Sequence, residues 1–237
     1  DLQDTKKQES IFLDYYNEKK NELPEGSQKH AVWCSAQGHL EEYCPPNLNF
    51  AQVDENFVKG FKNYLNSKAR TKSDTPLAQN TKYSYYNKFK ACINSAFNDG
   101  YISVNPIRKV KGFVMEDSQR EYLLYDELKS LAQTECKYPI LKKAFIFSCL
   151  CGLRWSDVQK LTWQEVRDET DSEGKSYTRI TFRQEKTDGL EYLYISDQAR
   201  SLLGERREPS DRVFYRLKYS STNNAELVNW CSRAGIT

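Results

Sequence analysis

Apolar residues recur at helical spacing through most of the first hundred positions of the chain. Side chains three or four positions apart lie on one face of a helix, so the pattern predicts amphipathic helices whose apolar stripes pack together. Pro24, the Pro45-Pro46 pair and Gly100 interrupt the pattern and should end three of these helices. The predicted helices of this compact domain cover about residues 9–22, 27–43, the positions that follow the cap Asp54, and 78–98.

The second half of the chain mixes helical and strand patterns. Val104-Asn105-Pro106 breaks the helical period, and residues 108–120 have mixed polarity without a period, which predicts a linker. Residues 177–183 and 190–195 have strand-like patterns, with Lys186 to Gly189 as the turn between them. The other predicted helices are 126–133, 139–151, 197–203 and about 223–232. The predicted fold is mainly α with a small antiparallel β-sheet.

Composition predicts a soluble protein of a reducing compartment. Apolar residues make up 38% of the 237 positions, which suffices for hydrophobic cores. No run of about 18 apolar residues exists, and the polar start of the chain is unlike a signal peptide. Seven cysteines without a repeated spacing favour free thiols over a disulfide framework. We therefore expect a cytoplasmic protein without a membrane span.

The net charge is only +2, but positive charge is concentrated in one block. Residues 1–58 contain 5 Lys and Arg against 11 Asp and Glu, whereas residues 59–111 contain 11 against 2. Such a block, with tyrosines among the lysines, is typical of proteins that bind the phosphate backbone of nucleic acid, although charge runs are more often solvated faces. Lys82, Lys88 and Lys90 lie largely off the predicted apolar stripe and could face that partner.

Arg154 stands at a junction between two predicted helices. The apolar helix 139–151 ends at Gly152, and a new helix is expected near Ser156, which would act as its cap. These helix ends would hold the guanidinium in one direction, behind an apolar wall. An arginine in such surroundings is costly to keep unless it binds an anion. The residues of the wall are Ile146, Phe147, Leu150 and Leu153.

The stretch from Phe147 to Trp163 resembles the first arginine box of the tyrosine recombinases, or phage integrases, which cut and rejoin DNA. Upstream pieces are similar to the SAM-like helical core-binding domain that precedes integrase catalytic domains, particularly those of Bacteroidetes mobile elements. These pieces are Asp54-Glu55-Asn56-Phe57 through Tyr64-Leu65, Asn80-Thr81 through Phe89-Lys90, Gly100-Tyr101-Ile102 and Asn105-Pro106. The resemblance covers nearly the whole chain and implies a site-specific DNA recombinase.

The resemblance also implies the roles of three residues. In this family one arginine clamps the scissile phosphate, and a lysine on a β-hairpin reaches the leaving 5′-oxygen. Arg154 matches the arginine and Lys186 matches the lysine, while Asp157 matches an acidic residue that would buttress the guanidinium. Fixed cationic donors suit this chemistry because charge spreads over the phosphate oxygens in the transition state.

The implied organisation has three parts. A SAM-like core-binding domain would occupy residues 1–107, a linker 108–120, and the N-terminal part of a mixed α+β catalytic domain 121–237. The implied partner is double-stranded DNA, held in a C-shaped clamp, with a tetramer on recombining sites for the full-length protein and a monomer for this chain. Candidates for phosphate contacts are Arg70, Lys72, Lys82, Lys88 and Lys90.

The sequence departs from the family in its second box. The family's His-x-x-Arg and its nucleophilic tyrosine, which forms a 3′-phosphotyrosine, have no match here. His30 and His39 are the only histidines, and neither is followed by arginine at the third position. Residues 230–237 resemble the approach to that box, so we expect the box and the tyrosine beyond Thr237. The chain is interpreted as a fragment that is inactive alone.

No metal or cofactor is expected. His30, Cys34, His39 and Cys44 have gaps of three, four and four residues, which do not match the ligand spacing of a zinc finger. Helical periodicity explains that segment without metal. Magnesium is not implied either, since arginine and lysine supply the charge and a side chain protonates the leaving group.

Two other functions remain open at this stage. One is a non-catalytic helical module that binds DNA or protein, in which Arg154 makes a surface ion pair, Asp157 complements a helix dipole and Lys186 is solvated. The other is a relative of the type IB topoisomerases, which share the arginine and lysine chemistry.

Overall fold

The computed structural model describes residues 6–117 and 119–236. The chain divides into two compact units, residues 1–119 and 120–237, and each unit has its own hydrophobic core. The fold is mainly helical with a three-stranded antiparallel sheet, which confirms the predicted fold class. Within the described ranges, no helix has both the length and the apolar character that crossing a bilayer requires.

The first unit is built from helices, as the periodicity predicts. Ser27 and Asp54 cap two of them, because their side-chain oxygens accept hydrogen bonds from the backbone N–H groups of His30 and Phe57. Gly100, at φ +78°, follows the last of them in the left-handed conformation that suits glycine. The helices are α1 (Phe12–Asn21), α2 (Gln28–Tyr43), α3 (Glu55–Ser67) and α4 (Gln79–Asn98), with short 3₁₀ turns at Phe50–Gln52 and Pro106–Lys109.

Aromatic side chains fill the core of the first unit. Phe12 on α1 packs edge-on against Phe50 and Phe89, with ring centroids 5.8 Å and 6.1 Å away. Phe61 on α3 lies 4.8 Å from Phe89, so α1, α3 and α4 meet around one ring. Aromatic pairs of this kind contribute about 0.5–1.5 kcal/mol each beyond the area they bury. The core therefore fixes the orientation of α4 and of its lysines.

The segment predicted as a linker lies against the first unit as far as Glu116. The ring of Phe113 packs edge-on against Tyr86, 5.7 Å between centroids. Side-chain amides of Gln79 and Asn80 donate to the backbone oxygens of Val114 and Glu116, both at 2.9 Å. These bonds use backbone groups, so they leave no periodic pattern in the sequence.

The second unit combines helices with the sheet. Its strands run in the order β1-β2-β3, with Val166 of β1 and Leu193 of β3 both opposite Ile180 of β2. The elements are α5 (Tyr125–Gln133), α6 (Pro139–Cys151), α7 (Trp155–Lys160), a 3₁₀ turn at Trp163–Glu165, β1 (Val166–Thr170), β2 (Ser176–Arg183), β3 (Leu190–Ile195), α8 (Asp197–Leu203) and α9 (Ser221–Arg233).

The inner face of the sheet packs on the helices of the second unit. Thr178, Ile180 and Phe182 alternate inward along β2 and are buried with Phe147 of α6. Trp230 of α9 is fully buried, and its indole N–H donates to the backbone oxygen of Thr134 at 3.1 Å. The β2–β3 hairpin and the α6–α7 junction therefore pack on the same hydrophobic core.

Candidate functional site

Arg154 occupies the junction between α6 and α7, as the sequence predicts, but the details differ. Gly152 ends α6 in the left-handed conformation, with φ +67°. The predicted serine cap is wrong, because α7 already begins at Trp155 and Arg154 itself holds the N-cap position with extended backbone. Ser148 supports the junction instead, since its hydroxyl donates to the backbone oxygen of Leu153 at 2.7 Å.

The side chain of Arg154 is exposed, so the predicted enclosure behind an apolar wall is also wrong. Its Nη1 donates to Oε1 of Gln184 at 2.8 Å. In residues 6–117 and 119–236, no carboxylate oxygen lies within 4.0 Å of the guanidinium nitrogens. A guanidinium has five N–H donors. Arg154 therefore keeps its full positive charge and can offer several donors to an oxyanion.

Asp157 supports the hairpin and not the guanidinium. The residue is 3% exposed, and its Oδ1 accepts the backbone N–H of Glu185 at 2.9 Å. The prediction that Asp157 buttresses Arg154 directly is thus not met by the contacts of the described residues. Its carboxylate faces the hairpin turn, 28 positions along the chain, and ties that turn to α7.

The turn between β2 and β3 carries Lys186 and closes on itself. The backbone N–H of Gln184 donates to Gly189 at 2.8 Å, and that of Asp188 donates to Gln184 at 2.9 Å. Asp188 adopts a left-handed φ of 55°, and Thr187 donates its hydroxyl to Oε1 of Gln184 at 2.5 Å. Lys186 lies exposed on this turn, two positions after the residue that binds Arg154.

An ion pair adds a third link between α7 and the turn. Nζ of Lys160 lies 2.8 Å from Oε2 of Glu185. The hydrogen bond and the charge of Lys160 lower the pKa of Glu185, so the pair is ionised and its charges offset each other at neutral pH. Among the described residues, neither Arg154 nor Lys186 has a carboxylate oxygen within 4.0 Å of its charged nitrogens, in contrast to Lys160.

The five basic candidates of the first unit do not share one face. Nη1 of Arg70 donates to the backbone oxygens of Ser67 and Ala69, at 3.0 Å and 3.1 Å. Nζ of Lys82 donates to Oδ1 of Asn66 on α3 at 3.0 Å. Lys72 is exposed on the loop between α3 and α4. Two of the candidates therefore have internal partners.

The positions of the α4 lysines follow from helix geometry. A helix turns about 100° per residue, so Lys82 lies within about 20° of the buried Phe89. The prediction that Lys82 lies off the apolar stripe is therefore wrong, and α3 covers this side of α4. Lys88 and Lys90 are two residues apart and point about 160° away from each other. They cannot both contact the same stretch of a partner.

The first unit also has a basic groove that the sequence pattern does not predict. Lys90 lines a groove of about 610 Å³ with Arg108 and Lys111, among the side chains of Asn94, Asn98 and Asn105. The 3₁₀ turn at Pro106–Lys109 places Arg108 over the ring of Phe97, 5.5 Å from its centroid. Arg108 and Lys111 fell in the predicted linker, although the charge block of residues 59–111 includes both.

The histidines and cysteines of α2 do not converge. Sγ of Cys34 lies 3.7 Å from Nδ1 of His30, whereas Cys44 is buried at the end of the helix and donates to Leu40. Burial lowers the pKa of His39, so its ring is mainly neutral at pH 7. In the part of the chain that the structure describes, no three His, Cys, Asp or Glu side chains are grouped to hold a metal.

Comparisons with known proteins agree with this architecture. Residues 11–112 match the family model of the phage integrase SAM-like domain. A lambda integrase fragment bound to DNA has a similar fold, with a TM-score of 0.69 and 14% identity over 96% of this chain and 80% of that one. For a lambda integrase tetramer bound to a Holliday junction, the TM-score is 0.70 and the identity 14%, and the match covers 100% of this chain and 68% of that one. For the Tn1549 transposon integrase in complex with transposon right-end DNA, the TM-score is 0.53 and the identity 14%, and the match covers 82% of this chain and 64% of that one.

The structural similarities and the family-model match carry different information. At 14% identity the structural similarities show the fold alone, which is that of the integrases. The family-model match adds that the helices of the first unit form a phage integrase SAM-like domain. Over residues 11–112 the chain therefore matches the phage integrase SAM-like domain family, and the chain has the fold of the integrases. No curated protein sequence matches it significantly.

Proposed function

We propose that the chain binds double-stranded DNA and supplies part of the active site of a site-specific tyrosine recombinase. The observation that supports this most is the bond between Arg154 and Gln184. It brings the guanidinium to the hairpin turn that carries Lys186, so two cations can address one phosphodiester. The integrases of similar fold are bound to DNA, which favours the same partner here.

In the proposed mechanism, Arg154 donates to the non-bridging oxygens of the scissile phosphate, and Lys186 protonates the leaving 5′-oxygen. Asp157 positions the hairpin, and Gln184 orients the guanidinium without neutralising it. Donors held in place in advance stabilise the transition state more than the ground state. Removal of one such donor typically lowers a rate about 10²–10³-fold.

The nucleophilic step needs groups that these 237 residues do not supply. The sequence contains no His-x-x-Arg, and its two histidines lie in the first unit. We therefore expect this chain alone to bind DNA without forming a 3′-phosphotyrosine. The whole recombinase would act as a tetramer on paired sites, like the lambda integrase on its Holliday junction, and this chain alone would be a monomer.

Phosphate contacts on the first unit complete the proposal. Arg70, Lys72, Lys82, Lys88 and Lys90 are the residues chosen from the sequence. Of these, Lys72, Lys88 and Lys90 have side chains without a hydrogen-bonded or ionic partner among the described residues. A side chain of this kind can turn toward DNA without giving up an internal bond, whereas Arg70 and Lys82 would have to break theirs.

Duplex binding tests the phosphate-clamp role. The double variant Arg154→Ala/Lys186→Ala should bind a 40-base-pair duplex at least about tenfold more weakly than the wild-type chain, since each charged hydrogen bond is worth about 1.5–3 kcal/mol. The control Arg167→Ala/Lys175→Ala removes the same charge from exposed positions of the same unit. Its affinity for the duplex should fall less than about threefold. Equal losses in the two variants would contradict the proposed role.

Two further assays separate the proposal from its alternatives. A nicked suicide duplex should give no covalent adduct with this chain, and an adduct would contradict the expected inactivity. Relaxation of supercoiled plasmid would favour a topoisomerase. If the chain failed to bind duplex DNA, the proposed function itself would be wrong.

A further inference from the structure

A second group of cations lies in the second unit, on the segment between α8 and α9. We call residues 207–218 the Arg207–Lys218 loop. Arg207, Arg212, Arg216 and Lys218 are all exposed. Across residues 6–117 and 119–236, no carboxylate oxygen lies within 4.0 Å of their charged nitrogens. The loop thus presents four cations that no ion pair offsets.

Three of these four cations lie on one concave surface. Arg212, Arg216 and Lys218 line a cavity of about 790 Å³, which also includes Tyr215 and the acidic Asp211. The guanidinium carbons of Arg207 and Arg216 lie 5.9 Å and 5.4 Å from the ring centroid of Tyr215. The face of an aromatic ring attracts cations, so Tyr215 gathers two guanidinium groups that would otherwise repel each other.

The backbone of the loop is strained at Arg216. Its φ of 65° is a left-handed conformation that residues with a Cβ seldom adopt. Phe214 and Leu217 are both 1% exposed and hold the strained turn against the core. Asn223 also holds the loop, because its amide donates to the backbone oxygen of Lys218 at 2.7 Å. Strain that is held in place on a charged surface suggests a functional role for the cations it positions.

The loop is joined to the end of α7 opposite Arg154. The backbone N–H of Val213 donates to Leu161 at 2.9 Å, and the side chain of Gln159 donates to Leu217 at 3.4 Å. The six residues of α7 rise about 9 Å. Phosphates of one B-DNA strand advance about 3.4 Å each along the axis, so this length corresponds to two or three phosphates. An extended polyanion suits this arrangement better than a single small anion.

We propose that the Arg207–Lys218 loop is a second phosphate-binding surface for double-stranded DNA. It holds the backbone a few nucleotides from the phosphate at Arg154, and Arg212, Arg216 and Lys218 make the contacts. This inference rests on the proposed function, because it adds a contact to the same DNA. Asp211 also lines the cavity and is the acidic residue among those that line it.

Charge-matched variants of the full chain test the proposal. Arg212→Gln/Arg216→Gln/Lys218→Gln should bind a 40-base-pair duplex of arbitrary sequence at least about tenfold more weakly than wild type at 50 mM salt. The slope of log K against log salt should be smaller in magnitude by about 2–3, since each phosphate contact contributes about 0.9 to that slope. The control Lys143→Gln/Arg167→Gln/Lys175→Gln removes three exposed charges from the same unit. It should change the affinity less than about threefold.

Two further measurements distinguish a lost DNA contact from a folding defect. Arg216→Asn relieves the left-handed strain, because asparagine tolerates that conformation. This variant should have a thermal midpoint at or above that of wild type and still bind DNA more weakly. Acetylation of Lys218 should be slowed by bound duplex, whereas acetylation of the exposed Lys175 should not. Wild-type affinity in Arg216→Asn, or equal labelling of Lys218 with and without DNA, would overturn the proposal.

The outcomes distinguish the loop from the proposed function. If wild type does not bind the duplex, both fail. If Arg154→Gln weakens binding while the loop variant binds like wild type, the loop proposal alone is wrong. Equal losses in the loop variant and its control also overturn it, since net charge would then explain the effect. Dependence on the loop for a single strand but not for the duplex would contradict the choice of duplex DNA.

Discussion

At the scale of single residues, Gln184 governs how much charge Arg154 can present. Its Oε1 accepts from Arg154 and from Thr187, and its Nε2 donates to Glu191 at 3.2 Å. A neutral amide orients the guanidinium and leaves its charge intact, whereas a carboxylate in the same place would orient it and cancel the charge. Substitutions at this one position can therefore separate the two effects.

We predict that Gln184→Glu weakens duplex binding more than Gln184→Ala does. The alanine variant loses the orienting bond and should bind about two- to threefold more weakly. The glutamate variant can keep a contact with Arg154 but competes with the DNA phosphate, so the loss should be about tenfold, or ~1.4 kcal/mol. Fluorescence anisotropy with a labelled duplex measures both affinities.

Gln164→Glu is the matched control for this prediction, because it adds the same charge at an exposed position of the same unit. Its affinity should stay within about twofold of wild type. Equal losses for Gln184→Ala and Gln184→Glu would show that orientation alone matters and would contradict the argument from charge.

At the scale of secondary-structure elements, one carboxylate joins β1, β2 and α8. Asp168 of β1 accepts from Nε and Nη2 of Arg200 on α8, both at 3.0 Å. The hydroxyl of Thr178 on β2 donates to the same carboxylate at 2.6 Å. Polar contacts thus hold the edge strand, which has only Val166 in the core.

The Asp168 contacts predict a pH dependence of stability. Hydrogen bonds from Arg200 hold the pKa of Asp168 at about 2, below its usual 3.8. Because the folded pKa is the lower one, the pairing stabilises the protein above about pH 4, and this contribution is lost as the pH falls toward 2. Asp168 is 49% exposed, so screening reduces the contribution to about 1 kcal/mol.

Asp168→Asn should therefore lower the free energy of unfolding by about 1 kcal/mol at pH 7 and have little effect at pH 2.5. Denaturant titrations at pH 7, 4 and 2.5 measure this difference. Asp126→Asn is the control, because Asp126 is 91% exposed and pairs with Lys129, three residues away on α5. A constant difference between Asp168→Asn and wild type at all three pH values would contradict the assignment.

Elements with local signals could be predicted from the sequence, and elements with distant partners could not. The caps Ser27 and Asp54 and the apolar stripes place the helices of the first unit within a few residues. The strand β1 (Val166–Thr170) was missed, because four of its five residues are polar and its pairing comes from β2.

The same limit applies to the site. Arg154 and Lys186 can be chosen by resemblance to a family. The bonds of Arg154 to Gln184 and of Asp157 to Glu185 join positions 30 and 28 residues apart, so no local pattern reveals them. The role of Asp157 therefore differs from the expected one. Its carboxylate binds the hairpin turn, and the side-chain amide of Gln184 binds the guanidinium of Arg154.

At the scale of the whole molecule, the cations of the basic block differ in their freedom to meet DNA. Arg70 and Lys82 are bonded to backbone oxygens and to Asn66. Lys90, Arg108 and Lys111 line one groove, and none of the three has a carboxylate within 4.0 Å in the described part of the chain. Cations that approach the same stretch of backbone release counterions together. The groove should therefore contribute more to binding than the same number of dispersed charges.

We predict that Lys90→Gln/Arg108→Gln/Lys111→Gln weakens duplex binding by at least about tenfold and makes the salt dependence shallower by about 2. The control Arg70→Gln/Lys72→Gln/Lys82→Gln removes the same charge from the same unit. Its duplex affinity should fall about threefold, and its slope of log K against log salt should change by less than about 1. Titrations between 50 and 200 mM salt with two unrelated duplexes measure both quantities.

Similar losses of affinity for the two duplexes are expected for phosphate contacts, and a loss for only one duplex would identify the groove residues as base readers. Equal losses in the two triple variants would mean that total charge, and not the groove, controls binding.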